Sequence, residues 1–248
     1  MTNLKDWYKH FFNLYPLADL ASTRETEREV KFILKQLGLR RGQRLLDLAC
    51  GIGRHAIPLA QKGIRVTGLD GTASYLRIAR ERADRAGLEV RWLEGDMRRL
   101  PYKDEFDAVI NCWTSFGYFT HPVEDARVLK EVRKALKPGG LFLIDVVNGE
   151  RILAKPTQKT WTKNDSVYVL EEVELRRGAD PACIQNWVFI KEGQQIREGT
   201  SFVRLYTRTR LEKLLRSCGL KVLKTWGDYE GRAHTPESKR LIILTKRK

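Results

Sequence analysis

Apolar positions along this chain fall into two rhythms, and the places where they alternate predict the architecture. Short, nearly continuous apolar runs occur at Arg44 to Ala49, Ile64 to Leu69, Glu89 to Leu93, Phe106 to Asn111 and Leu141 to Val147, each the length of a buried strand. Between them apolar residues recur at helical spacing, as in the helix through Ile57, Leu59 and Ala60 to Gly63. An earlier helix, from about Thr23 to Leu37, places Val30, Ile33, Leu34 and Leu37 on one face, which suits packing on a sheet. Strict alternation takes over after Glu150. Val167, Val169, Val173 and Leu175 alternate with Tyr168, Leu170, Glu172 and Glu174; after a turn at residues 177–181, Ile184, Val188 and Ile190 alternate with Gln185, Trp187 and Phe189. A last stretch of this kind runs from Ile196 to Tyr206, so an antiparallel meander is inserted between the fifth strand and the final helix. That helix spans about Thr209 to Ser217, capped by Thr207 and ended by Gly219, and a hairpin of Leu220 to Asp228 and Lys239 to Lys246 follows.

The polar residues that interrupt this pattern gather at the carboxyl ends of the parallel strands, where open α/β sheets bind ligands. The first strand carries Asp47 and leads into Gly51 and Gly53, a turn whose backbone a ligand can approach closely. The second ends in Asp70, placed as the acid that takes ribose hydroxyls in dinucleotide-binding units. Asp96 and Met97 follow the third strand, a carboxylate and an apolar side chain able to hold an adenine by its amino group and its face. Beyond the fourth strand come Cys112, Trp113, Thr114, Ser115 and Phe116. For each acid the alternative role is a turn or helix cap.

The order LDLACGIG, GLDG, EGDM, FDAVINC and LKPGGLFLIDV resembles the class I S-adenosylmethionine-dependent methyltransferases over residues 44 to 148. The resemblance implies a Rossmann-like, doubly wound α/β fold with a seven-stranded sheet, its last strand antiparallel, here joined by the antiparallel β insertion. The expected organisation is an N-terminal helical cap at 1–38, a cofactor-binding core at 39–149 and 207–248, and the insertion at 150–206 as a substrate cover or dimer interface. S-adenosylmethionine is the implied cofactor, with no metal. Gly51 and Gly53 would lie near its methionine part, with Asp47 beneath, Asp70 at the ribose, and Asp96 with Met97 at the adenine; Arg54 and Gly71 are further expected cofactor contacts. Asn111 and Cys112 would face the amino group; where the N-terminal aromatic residues form a lid over the cofactor, Tyr15 would lie near its carboxylate. A nicotinamide-dependent oxidoreductase is the competing fold-level reading. Asp47 has no part in cradling a pyrophosphate, and the terminal hairpin replaces the second crossover half such an enzyme would carry.

Composition narrows the partners. The formal net charge of +15, from 46 Lys plus Arg against 31 Asp plus Glu, favours nucleic acid as a partner, but basic residues recur on every predicted helix with acids interleaved, the pattern of a solvated surface. Met1 to Ser22 is broken by Lys9, His10, Asn13 and Asp19, so neither a signal peptide nor a membrane span is expected, and a cytoplasmic location is. Four cysteines without close pairs exclude an ordinary zinc motif and make a disulfide framework unexpected; Cys112 is expected to line the site rather than act as a nucleophile. An aromatic cluster of Trp7, Tyr8, Phe11, Phe12 and Tyr15 is either a packing surface or a lid.

Trp113, Ser115, Phe116 and Tyr118 are the candidate substrate contacts. Their loop holds no proline, unlike the motif of nucleic-acid adenine N6-methyltransferases, and the S-F-G-Y-F stretch is similar to small-molecule N-methyltransferases. The expected activity is methyl transfer to nitrogen or oxygen of a small molecule. RNA methylation and cofactor binding without catalysis are the alternatives, and a homodimer through the insertion is a further option. Direct displacement needs positioning more than a dedicated base; His55, His121, Tyr118 and Glu171 are the conceivable bases, none singled out.

Overall fold

The computed structural model describes Leu4 and residues 6–14, 23–154, 159–164 and 167–248. Helices α1 (Trp7–Leu14) and α2 (Thr23–Leu37) precede β1 (Arg44–Leu48), α3 (Ala56–Gln61), β2 (Arg65–Asp70), α4 (Ala73–Arg85) and β3 (Arg91–Glu94). Next come β4 (Phe106–Asn111), α5 (Pro122–Ala135), β5 (Leu136–Val147) and the short α6 (Gly149–Leu153). The insertion holds β6 (Lys159–Asn164), β7 (Val167–Arg176), β8 (Ala182–Lys191) and β9 (Arg197–Arg204), and α7 (Arg208–Ser217), β10 (Leu220–Trp226) and β11 (Arg240–Arg247) close the chain.

Among the described residues the strands form a seven-stranded sheet in the order β10-β11-β5-β4-β1-β2-β3 and a four-stranded antiparallel sheet in the order β6-β7-β8-β9. Strand β11 is antiparallel to both β5 and β10, so the last strand slots inside an otherwise parallel sheet, as the resemblance implies. Successive strand residues serve opposite faces. Leu46, Phe142, Ile144, Leu241 and Ile243 pack under α5 and α7, while Leu45, Leu143, Ile242 and Leu244 pack under α2 and α3 with Val30, Ile33 and Leu59. Helix α2 thus belongs to the core layers, its apolar face used as its spacing predicts.

Among the five parallel strands of the core, two start two or more residues away from the sequence reading. β5 starts at Leu136 rather than Leu141, because Phe106 pairs with Leu136 before a register shift between Phe106 and Ala108. β3 starts at Arg91, where pairing with Thr67 begins.

The insertion closes over the core through its inner face. Trp7 and Phe11 of α1 pack with Val167, Val169, Phe189 and Phe202, and Gly199 makes room: a Cβ there would stand 3.0 Å from the Phe11 ring. Arg204, only 1% exposed, ties the insertion down. Its guanidinium donates to Asp125 on α5 (2.6 Å), to Asp180 (2.6 Å) and to the carbonyls of Phe119 (2.8 Å) and Thr120 (3.0 Å). Tyr206 donates to the same Asp125 carboxylate at 2.7 Å.

A buried pair of this kind leaves an uncompensated charge when one partner goes. Arg204→Met should therefore lower the unfolding free energy by about 3–5 kcal/mol in urea titration, and adding Asp125→Leu should recover part of that loss.

Candidate functional site

A cavity of about 910 Å³ opens at the carboxyl ends of β1 to β5, roofed by α1 and walled by the inner face of the insertion. Its floor is the turn after β1. Gly51 takes φ +54°, and its amide donates to Asp70 Oδ2 at 2.8 Å; Thr72 donates to Asp70 Oδ1 at 2.8 Å. One carboxylate thereby links the ends of β1 and β2 and sets the turn. Gly53 (φ +77°) does not line the cavity; a Cβ there would come within 2.8 Å of the Trp92 ring, so packing demands this glycine.

Two buried polar atoms on the floor have no hydrogen-bond partner: Asp47 Oδ2 and Arg54 Nη2. The Asp47 carboxyl is pushed up to about 6, mainly by burial; His55 and Arg54 pull it down and Asp70 pushes it up. Burial likewise raises Asp70, against hydrogen bonds from Gly51 and Thr72. Arg54 is ion-paired to Glu29 of α2 at 2.7 Å and stacks over the Trp113 ring, 4.3 Å from its centroid. Glu29 also meets His55 Nε2 at 2.7 Å, which engages that histidine with α2. An acceptor carrying negative charge and a cationic donor thus stand unsatisfied on one buried floor. Such an arrangement suits a ligand with both an ammonium and a carboxylate.

The loop after β4 is held in a strained shape. Trp113 (φ +61°) and Thr114 (φ +64°) are consecutive left-handed residues without being glycine, a cost of roughly 1–3 kcal/mol each. Asp145 over-determines them. It accepts from Trp113 N (2.9 Å), from Tyr229 Oη (2.7 Å) and from both Nε and Nη2 of Arg240 (2.7 and 2.8 Å), and its own carbonyl accepts from Thr114 N at 3.0 Å. Trp113, Ser115, Tyr118 and Cys112 line the cavity, the Cys112 thiol pushed up by burial.

Of the other expected site residues, some line the cavity and some do not. Phe116 is a core residue: it is 1% exposed and packs on Tyr206, because the loop turns it inward just before Gly117. Asn111 lies outside the cavity lining and braces it instead, donating to the carbonyls of Leu48 (2.9 Å) and Ser115 (3.1 Å). Asp96 and Met97 line the cavity, with the Asp96 carboxylate paired to Arg98, whose guanidinium also reaches Glu124 and the Tyr8 hydroxyl. That pairing holds Asp96 below the usual carboxylate range against its burial. Gly71 lines the cavity beside Asp70, His121 sits exposed at the start of α5 outside the cavity, and Tyr15 lies outside the described residues.

The sequence points to the insertion as a substrate cover or dimer interface but does not name the residues it adds to the lining. Cys183, Gln185, Trp187, Ser201 and Val203 all line the cavity. Their alternation along β8 and β9 carried the signal, but which of the two faces turns inward is set only by docking. Every cation lining the cavity among the described residues is already ion-paired: Lys9 to Asp6 (2.9 Å), Arg54 to Glu29 (2.7 Å) and Arg240 to Asp145 (2.7 Å).

A deep cavity at the switch point of a parallel sheet, with an acid at the end of the second strand, defines a nucleoside-cofactor-binding α/β protein. Comparison with known proteins makes the family specific. Residues 45–140 match the family model described as a methyltransferase domain. The chain is 32% identical over 190 residues to the fatty-acid O-methyltransferase of Mycolicibacterium smegmatis, covering 66% of this chain and 67% of that one. It is 26% identical to the putative methyltransferase YqeM of Bacillus subtilis, covering 97% of each. The fold is shared with an S-adenosylmethionine-dependent methyltransferase from Clostridium acetobutylicum at a TM-score of 0.82, 21% identity and 99% coverage of both chains. The chain belongs to the class I S-adenosylmethionine-dependent methyltransferases and is an enzyme of that family. No helix among the described residues is long and apolar enough to cross a membrane.

The raised Asp47 carboxyl has a consequence for stability. With a folded value near 6 against an ordinary value of 3.8, the ligand-free protein binds this proton more tightly than the unfolded chain, so the contribution is full below about pH 4 and lost as pH rises through 6. Asn mimics the protonated form. The difference in urea midpoint between Asp47→Asn and the parent should therefore widen in favour of the variant from pH 4 to pH 7.

Proposed function

We propose that this enzyme transfers a methyl group from S-adenosylmethionine to nitrogen or oxygen of a small, largely apolar molecule. The observation that carries the cofactor's placement is the orphaned pair on the buried floor. Asp47 would take the ammonium and Arg54 the carboxylate of the cofactor's amino-acid end, with the Gly51 turn alongside. Asp70 would accept the ribose hydroxyls with lone pairs left over from its two amide bonds, and Met97 would pack on the adenine. When bound, the cofactor supplies a sulfonium-activated methyl. The chain's own work is to hold the acceptor in line and keep water out, which the roof of α1 and the insertion serve.

The acceptor's size and charge follow from the same cavity. The roof is tied on both sides, by the Trp7 indole donating to the Tyr118 carbonyl (2.8 Å) and by Arg98 reaching Tyr8. Lys9 and Arg240 are paired to Asp6 and Asp145, and Arg54 is given to Glu29 and the cofactor's carboxylate, so no lining cation among the described residues is left for a phosphate of the acceptor, which weighs against RNA despite the +15 net charge.

Labelled methyl from S-adenosylmethionine, incubated with protein and cell extract, is expected in the small-molecule fraction; label confined to RNA would overturn this reading. Cofactor affinity should rise with pH through about 6 and level off above it, because a cation beside Asp47 favours its ionised form and its proton is released on binding. Calorimetry in two buffers of different ionisation enthalpy reads that proton, and Asp47→Asn should flatten the dependence while weakening binding by about tenfold or more.

A further inference from the structure

The apolar wall that the insertion turns toward the cavity carries one polar cluster. In the register of the sheet Glu171 stands opposite Trp187, and Gln185 opposite Ser201. The Gln185 amide donates to the Glu171 carboxylate, and Ser201 Oγ donates to Gln185 Oε1 at 3.4 Å. The Trp187 indole N–H donates to Ser201 Oγ at 2.9 Å. Gln185, Ser201 and Trp187 line the cavity, and Glu171 backs Gln185. The hydrogens run one way, from indole to hydroxyl to carbonyl and from amide to carboxylate, so the cluster ends on acceptor oxygens and one negative charge.

We propose that this cluster is the acceptor subsite and that it selects an amine on an apolar skeleton, an inference that rests on the methyl-transfer reading above. An amine donates to the Gln185 carbonyl and, protonated, meets the charge of Glu171. Aromatic rings nearby strengthen that preference: Trp187 lies 6.0 Å from Phe11 and 6.0 Å from the stacked Phe189, and ring faces attract cations. A hydroxyl gains nothing from the charge and must also give up its proton during attack. Carboxylates and phosphates meet the Glu171 charge behind Gln185, and the insertion residues that line the cavity among the described residues include no cation.

The ammonium form gives a proton to solvent before reaction. In the step itself the nitrogen lone pair forms the new N–C bond and the C–S bond breaks with its electron pair left on sulfur, so positive charge moves from sulfur to nitrogen. Nitrogen becomes cationic beside the Gln185 carbonyl, which stabilises it without a side-chain base. Gln185 is the group that touches substrate; Glu171 is a positioning residue that fixes the amide's orientation and supplies the field.

The test titrates matched probes, benzylamine with benzyl alcohol and cyclohexylmethylamine with cyclohexylmethanol, into the full chain saturated with S-adenosylhomocysteine. Each amine is expected to bind at least about tenfold more tightly than its alcohol. Glu171→Gln should bring that ratio near one with unchanged affinity for S-adenosylhomocysteine, raising KM for the amine more than it lowers kcat, and Glu171→Asp should restore part of the preference. Equal binding of amine and alcohol, binding of neither, or a Glu171→Gln variant that keeps the amine preference overturns the proposal. Failure of the parent protein to bind S-adenosylhomocysteine at all would instead count against the methyl-transfer reading on which it rests.

Discussion

One guanidinium holds the working parts of this enzyme in register. Arg204 closes β9 and reaches Asp125 on α5, Asp180 in the turn between β7 and β8, and two carbonyls of the loop that carries Tyr118. Its own backbone amide donates to the Gly117 carbonyl at 2.7 Å, and Gly117 must be glycine, since a Cβ there would meet the Arg204 carbonyl at 2.8 Å. Through Tyr118 the same anchor reaches α1, whose Trp7 indole bonds the Tyr118 carbonyl. The roof, the insertion and the loop after β4 are thus positioned against one another by a single buried charge. Arginine suits the task because its fork supplies several donors at once in a fixed plane.

Charge is arranged oppositely inside and out. The surface carries the excess of basic residues, while the cavity floor concentrates buried carboxylates, Asp47 and Asp70, whose pKa values burial raises. Glu29, though also buried, stays low because His55 and Arg54 offset its desolvation. Removing water strengthens the field of these groups at the place where a cationic ligand would sit. A net charge of +15 therefore says little about what enters the cavity.

The loop after β4 holds two consecutive strained residues beside the cavity. Trp113 and Thr114 adopt left-handed backbone that neither residue favours, and Asp145, Arg240 and Tyr229 supply enough hydrogen bonds to hold it. This shape turns the Trp113 ring under Arg54 and leaves Phe116 to the core. Local pattern gives no warning of either outcome, since both follow from contacts made more than thirty residues away, at Asp145 and Tyr206.

The amino-acid sequence by itself determined the sheet, its helices and the strand-end acids, because apolar periodicity and strand-to-turn spacing are local properties written in consecutive residues. Asp47, Gly51, Asp70, Met97 and Cys112 reach the cavity because strand ends on one side of a parallel sheet necessarily converge. The tertiary structure alone decided what stands opposite them. Strand β8 offered two apolar faces, Ile184, Val188 and Ile190 against Cys183, Gln185, Trp187 and Phe189, and only the docking of α1 and the Arg204 anchor turned the second inward. Strand alternation sets which residues share a face; which face is buried is settled by the surface that comes to cover it.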